Sequence, residues 1–271
     1  MRRARGLPDS EYPLLQGKLT SAMALLLTQD DLRPLIEDPE LFEGAFKAIE
    51  QAVLAQHRGE AGQAAFLQFD LGQTGRKMAV YTIAAAMGAS VRVWPEVGSV
   101  RKPRDEHLML LLDPLSGRLE ALVAGDDLNP LRTAVPAGVG ARHLAPEGAT
   151  TLCILGTGQQ GRAHTRTICH GARGIDRVLV WSPTKEHREL FAQQMGQAVR
   201  LPVQAVDTAQ GAVEQADVIS ATGFLQPGTP ALEAGWVRPG ALLISMTNAA
   251  PPDLPGRRYV PANNRPQLLA N

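Results

Sequence analysis

Apolar and polar positions follow two different rhythms along the 271 residues of this chain. At Leu26 a short apolar run meets Thr28, which reads as the cap of a helix through Gln29, Asp30 and Asp31, since a threonine hydroxyl can satisfy a free N–H of a first turn. A longer helix is predicted near Glu40 to Gln56, where Phe42, Phe46, Ile49 and Val53 recur at three- and four-residue spacing and make one apolar face. Past Gly59 and Gly62 the pattern changes to short apolar runs, predicting strands at Ala65 to Phe69, Lys77 to Ile83, Val91 to Trp94, His107 to Leu112 and Leu119 to Val123. The last two flank Asp113-Pro114-Leu115-Ser116-Gly117 and read as a hairpin. Together these predict helices beside a largely antiparallel sheet, an α+β unit ending near Asp127.

From Leu128 strands and helices alternate. A helix runs through Arg132 and Arg142, followed by strand 150–155, helix 159–172, strand 177–181, helix 185–196, strand 202–206, helix 209–215, and strands 217–221 and 241–246. Such alternation predicts the α/β class with a Rossmann-type, doubly wound parallel sheet. About five parallel strands are legible before Pro251, Pro252, Pro255, Pro261 and Pro266, where a complete dinucleotide fold has six, so a short C-terminus is expected. The expected organisation is a loosely held extension over 1–22, an α+β substrate and dimerisation domain over 23–127, and a dinucleotide-binding domain over 128–271.

The most telling stretch is the apolar run from Thr150 to Leu155 that breaks into Gly156-Thr157-Gly158-Gln159-Gln160-Gly161 and then into helix-forming residues. This is G-x-G-x-x-G with a strand before it and a helix after it, the setting that gives the motif its meaning. Gly156 permits a tight turn, Gly158 lets backbone approach a pyrophosphate, and Gly161 lets helix and strand pack closely. Thr157, Gln159 and Gln160 complete the turn, and Thr222 and Gly223, after strand 217–221, are assigned to the same cofactor.

Lys and Arg together number 27, as do Asp and Glu, so no net field draws in nucleic acid or an anionic membrane, and neither is expected as a partner. The 44% hydrophobic content is that of a globular protein. Arg2, Arg3 and Arg5 could suggest a signal peptide, but Met23 to Leu27 is too short and too late to be its apolar region. Cys153 and Cys169 form no C-x-x-C pair and read as buried thiols of a reducing, cytoplasmic compartment. The six histidines, His57, His107, His143, His164, His170 and His187, form no metal-ligand spacing and read as surface or capping residues; no metal is expected. No Gly-x-Ser-x-Gly elbow supports a hydrolase.

Where a carboxylate often meets the cofactor ribose, this chain reads Trp181-Ser182-Pro183-Thr184-Lys185. Ser182 and Thr184 with Lys185 and Arg188 suit a 2′-phosphate, which a carboxylate would repel, so NADP is favoured over NAD. The alternative is that Lys185 and Arg188 are a solvated helix face.

Several motifs occur in a joint order: Gly75-Arg76-Lys77-Met78-Ala79-Val80, Ser116-Gly117 before a strand, Leu128-Asn129-Pro130-Leu131-Arg132-Thr133, the glycine turn, and Trp236-Val237-Arg238-Pro239-Gly240. In this order the chain resembles the ornithine cyclodeaminase/mu-crystallin family over roughly residues 23 to 258. The resemblance implies a homodimer with an NAD(P) site and a substrate cleft for a small α-amino or α-imino acid between two domains. It implies that Arg132 clamps the substrate carboxylate and that Lys77 handles a proton beside the Cα–nitrogen bond; without it, Lys77 reads as an edge charge and Arg132 as a helix surface cation. An aspartate that cyclodeaminases carry after the last clear strand falls at Met246-Thr247-Asn248-Ala249-Ala250-Pro251, which holds no carboxylate, and a second arginine after the long helix has no counterpart near Arg58-Gly59-Glu60. An imine or ketimine reductase or amino-acid dehydrogenase is therefore expected ahead of a cyclodeaminase. A non-catalytic ligand-binding protein and a decayed copy are the remaining alternatives.

Overall fold

A computed structural model describes residues 24–63, 67–70, 77–85, 88–96, 107–124, 128–222, 232–246 and 258–261. The first sheet is built from β1 (Leu25–Leu27), β2 (Ala61–Gln63), β3 (Leu67–Asp70), β4 (Lys77–Ala85), β5 (Gly88–Glu96), β6 (Leu108–Leu112) and β7 (Leu119–Ala124). Its order is β1-β7-β6-β5-β4-β2, with β3 also on β4, and all pairs are antiparallel except β1 with β7. The expected hairpin is β6–β7. Asp113 Oδ1 accepts from the backbone N–H groups of Leu115 and Ser116 at 3.1 and 2.7 Å, and Gly117 takes φ +71°, open to glycine at little cost.

Two helices, α1 (Gln29–Glu37) and α2 (Pro39–His57), precede most of this sheet. Thr28 Oγ1 accepts from Asp31 N at 3.4 Å, and Asp31 Oδ2 accepts from Thr28 N at 2.9 Å, a reciprocal cap in which aspartate takes the usual place of glutamate. Asp38 caps α2 through Glu40 N at 2.8 Å, with Pro39 opening the helix. Of the apolar face expected on α2, Phe46 is fully buried and Phe42 and Ile49 pack around it. Val53 departs from that expectation: it is 55% exposed, beyond the reach of the Phe46 cluster.

The second sheet consists of β8 (Thr151–Leu155), β9 (Arg177–Trp181), β10 (Val203–Ala205), β11 (Val218–Ala221), β12 (Leu242–Ser245) and β13 (Arg258–Pro261), parallel throughout, in the order β10-β9-β8-β11-β12-β13. In sequence order this is 3-2-1-4-5-6, the doubly wound dinucleotide arrangement. The expectation of five strands is corrected to six. β13 has only four residues and ends in Pro261, and it lies at the sheet edge, where a missing N–H breaks no ladder.

Period-two alternation divides the buried residues between two faces. Leu152, Ile154, Val178, Val180, Val218, Leu242 and Ile244 pack beneath α3 (Leu128–Leu144), α4 (Gln159–Gly171) and α5 (Lys185–Val199). Cys153, Leu179, Ile219 and Leu243 face α6 (Ala209–Val213) and the segment Leu232–Ala241. Among the described residues no helix is long and apolar enough to cross a membrane.

Helices α3 and α4 touch backbone to backbone. A Cβ on Gly171 would stand 2.1 Å from Gly138 O, and one on Gly138 would meet Thr167 O and Phe46 Cζ at 2.5 Å. Beside this crossing, Arg142 of α3 donates to both oxygens of Glu43 on α2, at 3.2 and 3.0 Å, and to Glu50 at 3.4 Å. His170 of α4 joins Glu43 Oε2 at 2.6 Å, and the Arg142 guanidinium covers the Phe46 ring at 4.5 Å. Hydrogen bonds from Arg142 first, and His170 second, hold the Glu43 carboxyl down at about 2.

Gly171→Ala should destabilise the fold by about 1–3 kcal/mol through overpacking, read as a lower denaturant midpoint at unchanged slope. Because Glu43 titrates lower in the folded chain than its ordinary 4.5, its stabilising effect is complete above pH 4.5 and is lost as pH falls toward about 2. Glu43→Gln should accordingly lower the melting temperature at neutral pH, with the gap from the wild type closing across that acid window.

Candidate functional site

The strand order reverses between β8 and β11, and at such a switch point the loops leaving the C-terminal ends of the strands diverge and leave a crevice. Gly156 leaves β8 at φ +118°, its N–H donating to Trp181 O at 2.9 Å. A Cβ on Gly161 would lie 2.1 Å from Gly156 O, so this position holds helix and strand at a distance no other residue allows. Gly158 differs: it caps α4 at φ −74°, and none of the described residues lies within 4 Å of the space its Cβ would take. The first N–H groups of a helix have no helical acceptor, and the Gln160 Oε1 is buried without a partner. An open approach over a helix start fits a pyrophosphate. Thr222 closes the floor of the turn, its N–H and Oγ1 donating to Leu155 O at 2.9 and 3.2 Å. Thr157 is half-buried and Gln159 exposed on the same turn; Gly223 lies outside the described residues.

Ser182, at the end of β9, is buried, and its Oγ donates to Thr184 O at 3.2 Å. The two cations assigned to a 2′-phosphate go different ways. Lys185 stands on the exposed side of α5, 3.7 Å from Glu189 Oε1. Arg188 is buried and is no solvated face: Nη1 donates to Ser182 O at 3.3 Å and Nη2 to Asp207 Oδ1 at 2.7 Å. Asp207 was not legible as a site residue, because only the register of β10 on β9 brings it to this rim.

Arg132 opens α3 and is turned toward the first sheet. Its Nη2 donates to Asn129 Oδ1, the same oxygen that accepts from Arg92 Nη2 at 3.2 Å. Arg92 lies on β5 opposite Tyr81 of β4 and is itself buried. Burial, and then the charge of Arg92, pulls Arg132 down to about 9; burial pulls Arg92 down to about 10. Both remain cations at neutral pH. Arg132 Nε is buried with no partner among the described residues. Sequence reasoning found Arg132 but missed Arg92, whose one signal is a charge between Val91 and Val93 in an apolar strand. Lys77 begins β4, four residues from Tyr81 and thus about 13 Å along the strand from the Arg92 row; its side chain is outside the described residues.

The expectation that the histidines lie at the surface fails for His164, which is fully buried on α4 with Nδ1 2.8 Å from Ser220 Oγ. Burial pushes its pKa down to about 4, so the ring stays neutral where a charge would cost most. Cys153 is buried and Cys169 half-buried, and both are free thiols.

Residues 46–261 match the model described as the ornithine cyclodeaminase/mu-crystallin family. The Delta(1)-pyrroline-2-carboxylate reductase of Bacillus cereus is 32% identical over 132 residues, which are 49% of this chain and 40% of that protein. Ketimine reductase mu-crystallin of Rattus norvegicus is 33% identical over 151 residues, 56% of this chain and 46% of its own length. Each match thus spans less than half of the relative. Among solved structures, Thermococcus litoralis Delta(1)-pyrroline-2-carboxylate reductase, in complex with NADH and L-proline, superposes with a TM-score of 0.72 at 23% identity, covering 82% of this chain and 68% of that one, and shares the fold.

The glycines of the turn should separate by substitution. Gly158→Ala is expected to leave stability within about 0.5 kcal/mol of the wild type, whereas Gly161→Ala, with a backbone oxygen in the way, should cost about 1–3 kcal/mol. Equal melting temperatures for the two variants would remove the distinction.

Proposed function

Because the chain belongs to the ornithine cyclodeaminase/mu-crystallin family, we propose that it is an NAD(P)-dependent reductase of small α-imino acids, a ketimine or cyclic imine reductase. The observation that carries this reading is Arg132: a half-buried cation of α3 beside β5, whose buried Nε has no partner among the described residues and which has a second guanidinium next to it. A planar carboxylate matches such donors, and an α-imino acid brings one next to the C=N bond. Named activities of the relatives support the class: one is a Delta(1)-pyrroline-2-carboxylate reductase and another a ketimine reductase.

Reduction of C=N adds hydride to carbon and a proton to nitrogen. A bound nicotinamide dinucleotide supplies the hydride, with Gly156, Gly158, Gly161 and Thr222 shaping the turn against its pyrophosphate. In this reading Arg132 fixes the substrate by its carboxylate, Arg92 adds positive potential to the same pocket, and Lys77 holds the proton for the nitrogen. Residues 23–127 form the substrate and dimer domain and residues 128–271 the dinucleotide domain. A homodimer is supported by Leu67 and Phe69, apolar side chains exposed on one face of β3, and a cytoplasmic setting by the two free thiols.

The test is consumption of NADH or NADPH, followed at the reduced-nicotinamide absorbance band, with five- and six-membered cyclic imino acids that carry an α-carboxylate. Arg132→Ala should lower kcat/KM about 10- to 100-fold, the worth of a charge-assisted hydrogen bond, with dinucleotide affinity unchanged. Lys77→Ala should abolish turnover and spare dinucleotide binding. Dinucleotide binding without turnover of any imino acid overturns the reductase reading.

A further inference from the structure

We propose that Asp207 is the carboxylate that reads the cofactor ribose, and that its ion pair with Arg188 sets this protein for NADH over NADPH; the proposal rests on the dinucleotide reading above. In the doubly wound fold, the ribose nearest the adenine lies at the end of the second strand, where an acidic residue accepts from its hydroxyls. Here that strand is β9, and the position holds Ser182, whose hydroxyl is turned inward to Thr184 O. The carboxylate comes from the next strand instead. Ala205 of β10 is in register with Val180 of β9, and Asp207 and Ser182 each lie two residues further on, so both leave the sheet at the same end. Trp181 Nε1 donates to Asp207 O at 3.2 Å, tying the two loop starts together.

One guanidinium spans both positions. Arg188 Nη1 holds Ser182 O and Nη2 holds Asp207 Oδ1, and the arginine side chain is only 10% exposed. The Asp207 side chain is 91% exposed, and its second oxygen accepts from no other described residue, which leaves it open on the rim. Two consequences act in the same direction. A ribose 2′-hydroxyl finds a charged acceptor, a strong form of hydrogen bond. A 2′-phosphate meets a carboxylate of like charge, and the arginine that could have received it is already neutralised and anchored. Asp207 thus opposes the phosphate both by its own charge and by holding Arg188.

The experiment is a fluorescence titration of the wild-type protein and of Asp207→Asn with NADH and with NADPH. The wild type should bind NADH at least about tenfold more tightly. Asp207→Asn keeps an oxygen for Arg188 but removes the charge, and should shrink that preference about tenfold or invert it. A wild type that binds NADPH as well as NADH, or a variant with an unchanged ratio, overturns the assignment of Asp207 and leaves the dinucleotide reading intact. Absence of binding by either nucleotide to the wild type refutes the dinucleotide reading itself, and Asp207's role with it. Should the variant fail to fold, competition against NADH on the wild type by 5′-AMP and by adenosine 2′,5′-bisphosphate decides: stronger displacement by 5′-AMP supports the proposal, and stronger displacement by the bisphosphate sinks it.

Discussion

The contact between Gly138 and Gly171 fixes where everything else can be. Two helix backbones meet with no room for a Cβ on either side, so α3 has one permitted depth against α4, and α4 is itself held against β8 by the equally close approach of Gly161 to Gly156. Helix α3 belongs to both halves of the molecule. Its second half lies over the parallel sheet, while Arg132, six residues or about 9 Å before Gly138, reaches the first sheet at Arg92 through Asn129. Phe46 of α2 fills the gap at the crossing, and Arg142, Glu43 and His170 bind three helices around it. A shift at the glycine contact would therefore move the guanidinium cluster relative to the dinucleotide crevice, since α3 is the rigid body that connects them.

Charges withdrawn from water are resolved in this protein in several distinct ways. Arg142 is answered by two carboxylates and an aromatic face, and Arg188 by Asp207. His164 gives up its charge. Arg132 does none of these: among the described residues its hydrogen-bond partner is the neutral oxygen of Asn129, and its Nε is unsatisfied, yet it stays protonated at neutral pH. A buried unpaired donor costs stability, of the order of 1–3 kcal/mol. Arg132 is thus a cation whose charge no carboxylate among the described residues answers.

The sequence was most readable where the physics is local. The glycine turn, the cap at Thr28, the hairpin turn at Asp113, and the alternation of strands and helices after Leu128 each depend on neighbours a few residues apart, and the strand-helix order alone implied the doubly wound sheet. What escaped depends on register. β13 is four residues ending in proline, too short for a period to emerge, and it is a strand because β12 is there to pair with. Arg92 looked like an interruption in an apolar strand until Asn129 was brought against it from 37 residues away. His164 carries no mark of burial in its own neighbourhood, and Asp207 reaches the rim of β9 only through the pairing of Ala205 with Val180.

Glycines show how one letter hides several constraints. Gly138, Gly161 and Gly171 are demanded by backbone contacts within the chain, since a methyl group at any of them would overlap a carbonyl oxygen. Gly156 is demanded by its φ of +118°. Gly158 is demanded by neither: its φ of −74° suits any residue, and no described residue occupies the space before it. Openness alone is weak evidence, for Gly44, Gly62 and Gly235 are equally unobstructed. What distinguishes Gly158 is its place, at the cap of a thirteen-residue helix on the switch point of the sheet, where the first N–H groups of the helix have no helical acceptor.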